Sequence, residues 1–399
     1  MVIAIAVFII LYHLIVLYIG WNGWKWLRIE TSGRRGIRYT FWTVLLLMAW
    51  SPFVRYTLPD WAGIHWIAGV WMGLLYLLIL LLPAANLIVW LLKRLSRLSR
   101  DRLIASAGRV VTAAAVLLFG FGLWSAYSPV VRQYEVTLPK AAGESALLRK
   151  AEGETKSLQK AEGETKPLQK AEGETKPLRI VMAADMHFGA LSHAGHARRF
   201  VEEVNALQPD VVLIPGDLVD DDIVHYVKQG IPAILQGIQA PVYASLGNHD
   251  LLEAEDSTLV DTLEASGMTV LLDESVKLGG DLTLVGRKDA SDPGRMPIEQ
   301  LIPGVDPASP VVLLDHQPDD LDAEEAAGVD LVLSGHTHRG QVFPGGLITG
   351  RIYENDYGYL KKGRLQSIVT SGYGFWGLPL RIGTRSELNV IELTFAPAP

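Results

Sequence analysis

The chain has 399 residues, 49% of them hydrophobic and 20% charged, which excludes a disordered polymer and allows more than one domain. Its net charge of −7 conceals two halves: residues 1–129 hold 12 Lys and Arg against three acids, while the remainder carries a net of −16. Zero cysteine excludes disulfides, thiolate metal sites and cysteine nucleophiles.

Four apolar runs open the chain, at residues 2–18, 41–54, 65–92 and 110–127, with ten of the 11 Trp between Trp21 and Trp124. Indole rings at the margins of such runs mark bilayer interfaces, and each run but the second, which is short and contains Pro52, has the length of a spanning helix. A signal peptide would end after one apolar stretch, so four in succession predict an anchor. Lys25, Arg28, Arg34, Arg35 and Arg38 lie between the first and second runs, and Lys93, Arg94, Arg97, Arg100 and Arg102 between the third and fourth. The turn at residues 59–63 has only Asp60, with Arg55 at its edge. Basic loops stay cytoplasmic, which predicts a multi-pass protein of the cell membrane with its N-terminus and everything after Tyr127 outside. Arg34 and Arg35 read as charge anchors rather than an export signal. The runs hold almost no ionisable residue beyond His13, His65 and Arg109, which gives a transporter little support.

A ten-residue unit follows. Residues 150–159 read KAEGETKSLQ, 160–169 KAEGETKPLQ and 170–179 KAEGETKPLR, with a degraded copy at 140–149. Each unit is too short for a solenoid and holds one large apolar residue, so no core can form. Gly153, Gly163, Gly173, Pro167 and Pro177 interrupt any helix, and the expectation is a solvated loop inserted at residues 139–178. Strand-like segments at 131–138 and 178–184 flank it; paired with each other, they would make the insertion a lengthened hairpin loop, at about 0.6 kcal/mol per doubling of its length.

Beyond the repeat, short Val, Leu and Ile runs alternate with helix-like stretches, and polar residues stand where the runs end. RIVMAAD reaches Asp185 and His187; DVVLIPGD reaches Asp217; VYASLGNHD reaches Asn248, His249 and Asp250; VVLLDHQP reaches His316; DLVLSGHTH reaches His336 and His338. Buried parallel strands have this composition, and α/β sheets gather ligands at their carboxyl ends. One such histidine alone reads as a satisfied structural residue; five strand ends delivering metal-type ligands to one edge read as a site. His193 and His196, spaced H-x-x-H, open a helix and are expected to face solvent. Asp220, Asp221 and Asp222 read as a solvated loop, and Arg339 as a phosphate contact or an outward-facing charge. Gly372, Gly374 and Gly377 fit G-x-G-x-x-G, but Leu378, Pro379 and Leu380 follow where a dinucleotide fingerprint needs a helix.

The series DMH, GDLVD, GNHD, H and GHTH, in this order, resembles the calcineurin-like metallophosphoesterases, and the preceding helices make the chain similar to their membrane-anchored members. The resemblance implies an αββα sandwich over residues 130–399, interrupted by the insertion, after a four-helix transmembrane region at 1–129. It implies that Asp185, His187 and His338 bind one divalent metal, Asn248, His316 and His336 a second, and that Asp217 bridges them. Imidazole and carboxylate together suit Mn, Fe, Zn or Co better than calcium. His249 would serve the leaving oxygen as acid or electrostatic stabiliser, with Asp250 orienting its ring. The implied reaction is phosphoester hydrolysis by in-line attack of metal-activated hydroxide. A tether of about three residues, roughly 10 Å, separates Tyr127 from the first strand and holds the domain at the bilayer. Lipid-linked phosphoesters or pyrophosphates are therefore one expected substrate class, soluble nucleotides and phosphoproteins being the alternatives, with no nucleic-acid partner. The rival reading is a noncatalytic membrane sensor that keeps the metal site to bind a phosphate ligand.

Deleting residues 150–169, two whole units, is expected to leave folding and catalysis almost unchanged, and limited proteolysis should cut the intact chain there first. A fall of many degrees in melting temperature would contradict this.

Overall fold

The computed structural model describes residues 2–58, 61–139, 177–220, 223–251, 258–278, 282–305 and 309–396; the repeat lies outside them. The chain divides into two units. One is Met1–Trp124 with Gly377–Leu380, the other Ser125–Trp376 with Arg381–Pro399.

In the first unit, α1 (Val2–Glu30), α2 (Arg35–Val54), α3 (Ala62–Leu95) and α4 (Arg100–Tyr127) are four helices long and apolar enough to cross a membrane. α2 runs through Pro52. Helices α1 to α3 pack through Tyr12, Val16, Leu45, Ala49, Trp71 and Leu75. Apolar surface gains little by association in lipid, so polar pairs between helices count. Trp71 Nε1 donates to Tyr12 Oη at 2.7 Å, and Asn86 Nδ2 donates to Tyr18 Oη at 2.8 Å.

The second unit holds two six-stranded mixed sheets. Their strands are β1 (Val130–Pro139), β2 (Leu178–Met182), β3 (Val211–Pro215), β4 (Val242–Ser245), β5 (Met268–Val270), β6 (Glu274–Leu278), β7 (Leu282–Gly286), β8 (Val311–Leu314), β9 (Leu331–Ser334), β10 (Gly358–Lys362), β11 (Leu365–Val369) and β12 (Glu387–Ala396). The first sheet has the order β1-β12-β2-β3-β4-β5, the second β10-β11-β9-β8-β7-β6. Both faces of the central strands are buried, with alternate residues serving different layers. Ile180 and Met182 of β2 point into the core between the sheets, with Leu213, Leu284, Val312 and Ile368, while Val181 and Ala183 point outward. There they meet α5 (Ala194–Ala206), α6 (Ile223–Lys228), α7 (Ile231–Leu235) and α8 (Thr258–Ala265). Val285, Val311 and Leu313 meet α9 (Ile298–Leu301) and α10 (Leu321–Ala327) on the far side of the second sheet. The layers are helix, sheet, sheet, helix, as the resemblance implies. Each fully buried Leu, Ile or Val in them contributes about 1.5–3 kcal/mol.

The hairpin proposed across the repeat does not form. β12 lies between β1 and β2, parallel to β1 from Val130↔Glu387 and antiparallel to β2 from Asn389↔Met182. A ten-residue strand from the far end of the chain offers β1 full-length pairing, which five-residue β2 cannot match.

Candidate metal centre

β2, β3 and β4 run parallel in one sheet, β8 and β9 parallel in the other, and all five deliver their following residues to one place. Backbone bonds hold the loops in step: Asp185 N donates to Gly216 O and His187 N to Asp217 O, each at 3.1 Å, and Gly335 N donates to His316 O at 3.0 Å. Two further bonds cross between the sheets. His316 Nδ1 lies 2.9 Å from Pro215 O, and His336 N donates to Asp185 Oδ1 at 2.9 Å.

The turns after the strands are sharp. Asp185, His187, Asp217, His336 and His338 all have φ between 44° and 68°, half of the ten non-glycine residues with positive φ among those described. Such conformations cost of order 1–3 kcal/mol each and persist where surrounding structure enforces them. Glycines give the space: a Cβ at Gly216 would lie 2.6 Å from His316 Nδ1, and one at Gly335 would lie 2.5 Å from Asp185 Oδ2.

Two donor groups share one carboxylate. In the first, His187 Nε2 is 3.1 Å from His338 Nε2, and His338 Nε2 is 3.7 Å from Asp185 Oδ1. In the second, Asn248 Oδ1 is 3.2 Å from His316 Nε2 and 2.8 Å from His336 Nδ1. Asp217 Oδ2 reaches both, 3.6 Å from His187 Nε2 and 3.2 Å from His316 Nε2. Three overlapping triads keep their ligand atoms within 4.8 Å: Asp185, His187 and His338; His187, Asp217 and His249; Asp185, Asp217 and His316. All seven residues assigned as ligands from the sequence converge here, and His249 stands among them. Its amide donates to Asp217 Oδ1 at 3.0 Å, and its ring lies 4.9 Å from that of His187.

The donor chemistry suits divalent cations. A carbonyl oxygen only accepts, so His316 Nδ1 carries a proton toward Pro215. In the neutral ring, Nε2 then aims a lone pair at the oxygens of Asn248 and Asp217, an arrangement that only a proton or a cation relieves. Burial disfavours a charge on His316, but the Asp217 carboxylate outweighs it and holds the imidazole pKa well above its ordinary value. Asp217 is the counterpart: burial raises its carboxyl, and His316, His187 and His249 pull it far below the carboxylate range. Asp185 has weaker company, so burial dominates and pushes it up to about 7, with Asp217 adding to the rise and His316 opposing it.

Asp250, expected to orient the His249 ring, spends its carboxylate on backbone amides. Its carboxylate, fully buried, accepts from the amides of Leu218, Val219 and Gly247, tying the turn after β3 to the turn after β4. Asp315, next to His316, is held by Arg287 at 3.0 Å and Arg295 at 2.6 Å. Arg381, absent from the sequence assignment, is fully buried and donates from Nη2 to His338 Nδ1 at 3.1 Å. Guanidinium cannot accept, so the neutral His338 ring carries its proton on Nε2, toward His187. Trp376, ring centroid 5.5 Å from His249, and Tyr353, 6.0 Å from His336, were also not singled out. Of these three, only Trp376, the lone Trp after residue 124, carried a trace in the sequence.

Other expectations divide. His196 does not face solvent: it is buried, bonds Ser192 Oγ at 2.9 Å and stacks on Tyr373, because α5 turns residues 196, 200 and 204 to the core. His193 caps α5 by accepting from Gly195 N at 2.9 Å. Arg339 is exposed and lies over the Tyr357 ring at 4.2 Å. No helix follows Gly377; instead a Cβ at Gly372 would sit 2.8 Å from that of Asp185, so this glycine lets the segment back the metal centre.

Cation uptake must displace protons from this site, since burial pushes Asp185 up to about 7 and the Asp217 carboxylate holds His316 protonated well above the ordinary imidazole range. Calorimetry with Mn2+ in two buffers of different ionisation enthalpy should show proton release, and affinity should rise as pH rises through about 7. Affinity that is flat with pH would contradict the protonation pattern.

A family model described as calcineurin-like phosphoesterase matches residues 178–340. An uncharacterized metallophosphoesterase of Helicobacter pylori is 36% identical over 222 residues, covering 54% of this chain and 59% of that protein. A zebrafish (Danio rerio) transmembrane protein with metallophosphoesterase domain is 31% identical, over 54% of this chain and 53% of its own length. An uncharacterized metallophosphoesterase of Aquifex aeolicus is 31% identical, with 54% of this chain matching 84% of it. The match thus spans a little over half of the Helicobacter and zebrafish proteins and most of the Aquifex one. With carboxylates, imidazoles and an amide gathered at five strand ends, a two-sheet core and a relative at 31% identity matched over 84% of its length, the chain belongs to the calcineurin-like metallophosphoesterase family.

Proposed function

We propose that this protein is a membrane-anchored, dinuclear metal-dependent phosphoester hydrolase. The observation that carries the reading is Asp217 Oδ2, within reach of both donor groups. Asp185, His187 and His338 would hold one ion, Asn248, His316 and His336 the other, with Asp217 common to both. Two divalent ions supply Lewis acidity toward phosphoryl oxygens and a water of lowered pKa, and their nitrogen and oxygen donors suit Mn, Fe, Zn or Co. Asp185 and Asp217 return two of the four positive charges, leaving about +2 for a phosphate anion. His249 keeps its backbone fixed on Asp217 and its ring at the edge of the centre, where it can give a proton or hydrogen bond to the leaving oxygen.

The four apolar helices support a membrane setting. Ten basic residues, two in the α1–α2 and α3–α4 loops and eight on the helix ends that flank them, favour the cytoplasm for both loops, which would put the metal centre outside. Only Ser128 and Pro129 separate α4 from β1. That tether favours a substrate carried by the bilayer, such as a lipid-linked phosphoester or pyrophosphate.

Hydrolysis of an aryl phosphate should require added divalent metal. Asp217→Asn should lower kcat by about a thousandfold or more, because the shared ligand loses its charge. His249→Ala should keep two metal equivalents while kcat falls by about a hundredfold. Metal analysis beside kinetics decides: an active Asp217→Asn, or a metal equivalent lost from His249→Ala, overturns the roles.

The absence of native cysteine makes topology directly testable. In intact cells a membrane-impermeant thiol reagent should label Ser157→Cys and leave Ser32→Cys unlabelled; the reverse pattern would put the metal centre in the cytoplasm.

A further inference from the structure

The segment from Arg339 to Ile352 begins beside one histidine of the metal centre and ends beside another. His338 precedes it, and Tyr353, which follows it, packs 6.0 Å from the His336 ring. Between them, α11 (Gly346–Ile352) has no buried residue. Phe343, Leu347, Ile348 and Ile352 are 57–66% exposed, and Trp376 is 50% exposed beside His249. Gln341 binds Trp376 to the same segment: its Nε2 donates to Trp376 O at 3.0 Å, and its Oε1 accepts from Trp376 N at 2.9 Å.

Of eight large hydrophobic residues exposed in the second unit, among those described, these are five. An apolar cluster of this kind on the rim of a site marks an interaction surface rather than the scatter normal to soluble domains. The charges carried by the segment itself are basic, and the Asp356 carboxylate beside it accepts from Thr349 Oγ1 of α11 at 2.7 Å. Residues 339–352, RGQVFPGGLITGRI, contain Arg339 and Arg351 and no acid, and both arginines are exposed.

We infer that this surface, α11 with Phe343 and Trp376, inserts into the headgroup region of an anionic bilayer and presents the metal centre to lipid-borne substrate. The inference rests on the membrane-anchored reading above and adds to it the surface that touches lipid. Branched aliphatic and aromatic side chains entering the acyl boundary, with arginine among the lipid phosphates, is the composition of an interfacial anchor. The bilayer is favoured over a protein partner because the same chain carries four apolar helices, and a two-residue link joins α4 to β1, so the local concentration of lipid surface is high at all times.

The test uses the full chain, metal-loaded, in vesicles of phosphatidylcholine and phosphatidylglycerol. Ile348→Cys and Val227→Cys, the latter exposed elsewhere on the same unit, each carry an environment-sensitive fluorophore. The label at 348 should shift to the blue relative to detergent micelles and be quenched by spin-labelled lipid, while that at 227 should not. No lipid quenching at 348 overturns the inference, and a blue shift that follows protein density without lipid quenching assigns the surface to a second copy of the chain and overturns it too. The triple variant Leu347→Ser, Ile348→Ser, Ile352→Ser should lose about tenfold in turnover of a phosphate-headgroup lipid in vesicles while its rate on soluble aryl phosphate stays unchanged. Equal loss on both substrates overturns the inference by making the surface part of the metal centre's support. If wild type cleaves no lipid phosphate yet 348 is quenched, the lipid-substrate reading fails and the docking surface stands; cleavage without quenching has the opposite meaning.

Discussion

The Asp217 carboxylate, almost wholly buried with one oxygen 3.6 Å from His187 and 3.2 Å from His316, is the constraint around which the second unit is arranged. A carboxylate taken out of water costs several kcal/mol unless charges and donors replace its hydration. Here those partners come from both sheets: His187 follows β2, His249 follows β4, and His316 follows β8. Asp185, equally buried, has imidazoles near it whose charge does not offset its burial, and it is pushed up to about 7. Two identical side chains thus differ in ionisation through their neighbours alone, and a pair of cations would remove the difference by satisfying both.

Holding these groups at bonding distance requires a rigid support, and the structure supplies it in three ways. Asp250 gathers three backbone amides from two turns. Asp315 lies between Arg287 and Arg295 and fixes the chain just before His316. Left-handed turns at Asp185, Asp217 and His336 swing the chain away from each strand so that the side chain remains behind at the site. Replacing a hydrogen-bonded aspartate of this kind would leave several buried amides without acceptors, so its cost would reach the metal centre without any contact with an ion.

Much of this was legible because the strands end where the ligands begin. DVVLIPGD and DLVLSGHTH carry a continuous apolar run and a ligand in a single stretch, and sheet geometry then forces those ends together. The four apolar helices were legible for a similar reason, since length and composition suffice to define them. Pairings between distant segments leave no such mark. Nothing near residues 130–139 announces that β12 separates β1 from β2, and nothing near Arg381 announces His338, 43 positions earlier. His196 was a different failure: the 3.6-residue period of Phe200 and Val204 already placed it inward, and the H-x-x-H spacing obscured that.

The exposed rim follows from the same division of labour. Strand ends fixed by packing and buried ion pairs leave little freedom for the carboxylates and imidazoles of the candidate centre, so variation in what such a centre would accept must lie in the connections between strands. The connection from β9 to β10, which carries His336 and His338, spends its middle on Phe343, Leu347, Ile348 and Ile352 rather than on polar residues. A loop free of any binding duty would lose nothing by being polar there, and it would be more soluble. Because both of its ends are pinned, at His338 by Arg381 and at Tyr353 against His336, the middle of this loop can seat on a surface while the histidines beside it keep their places.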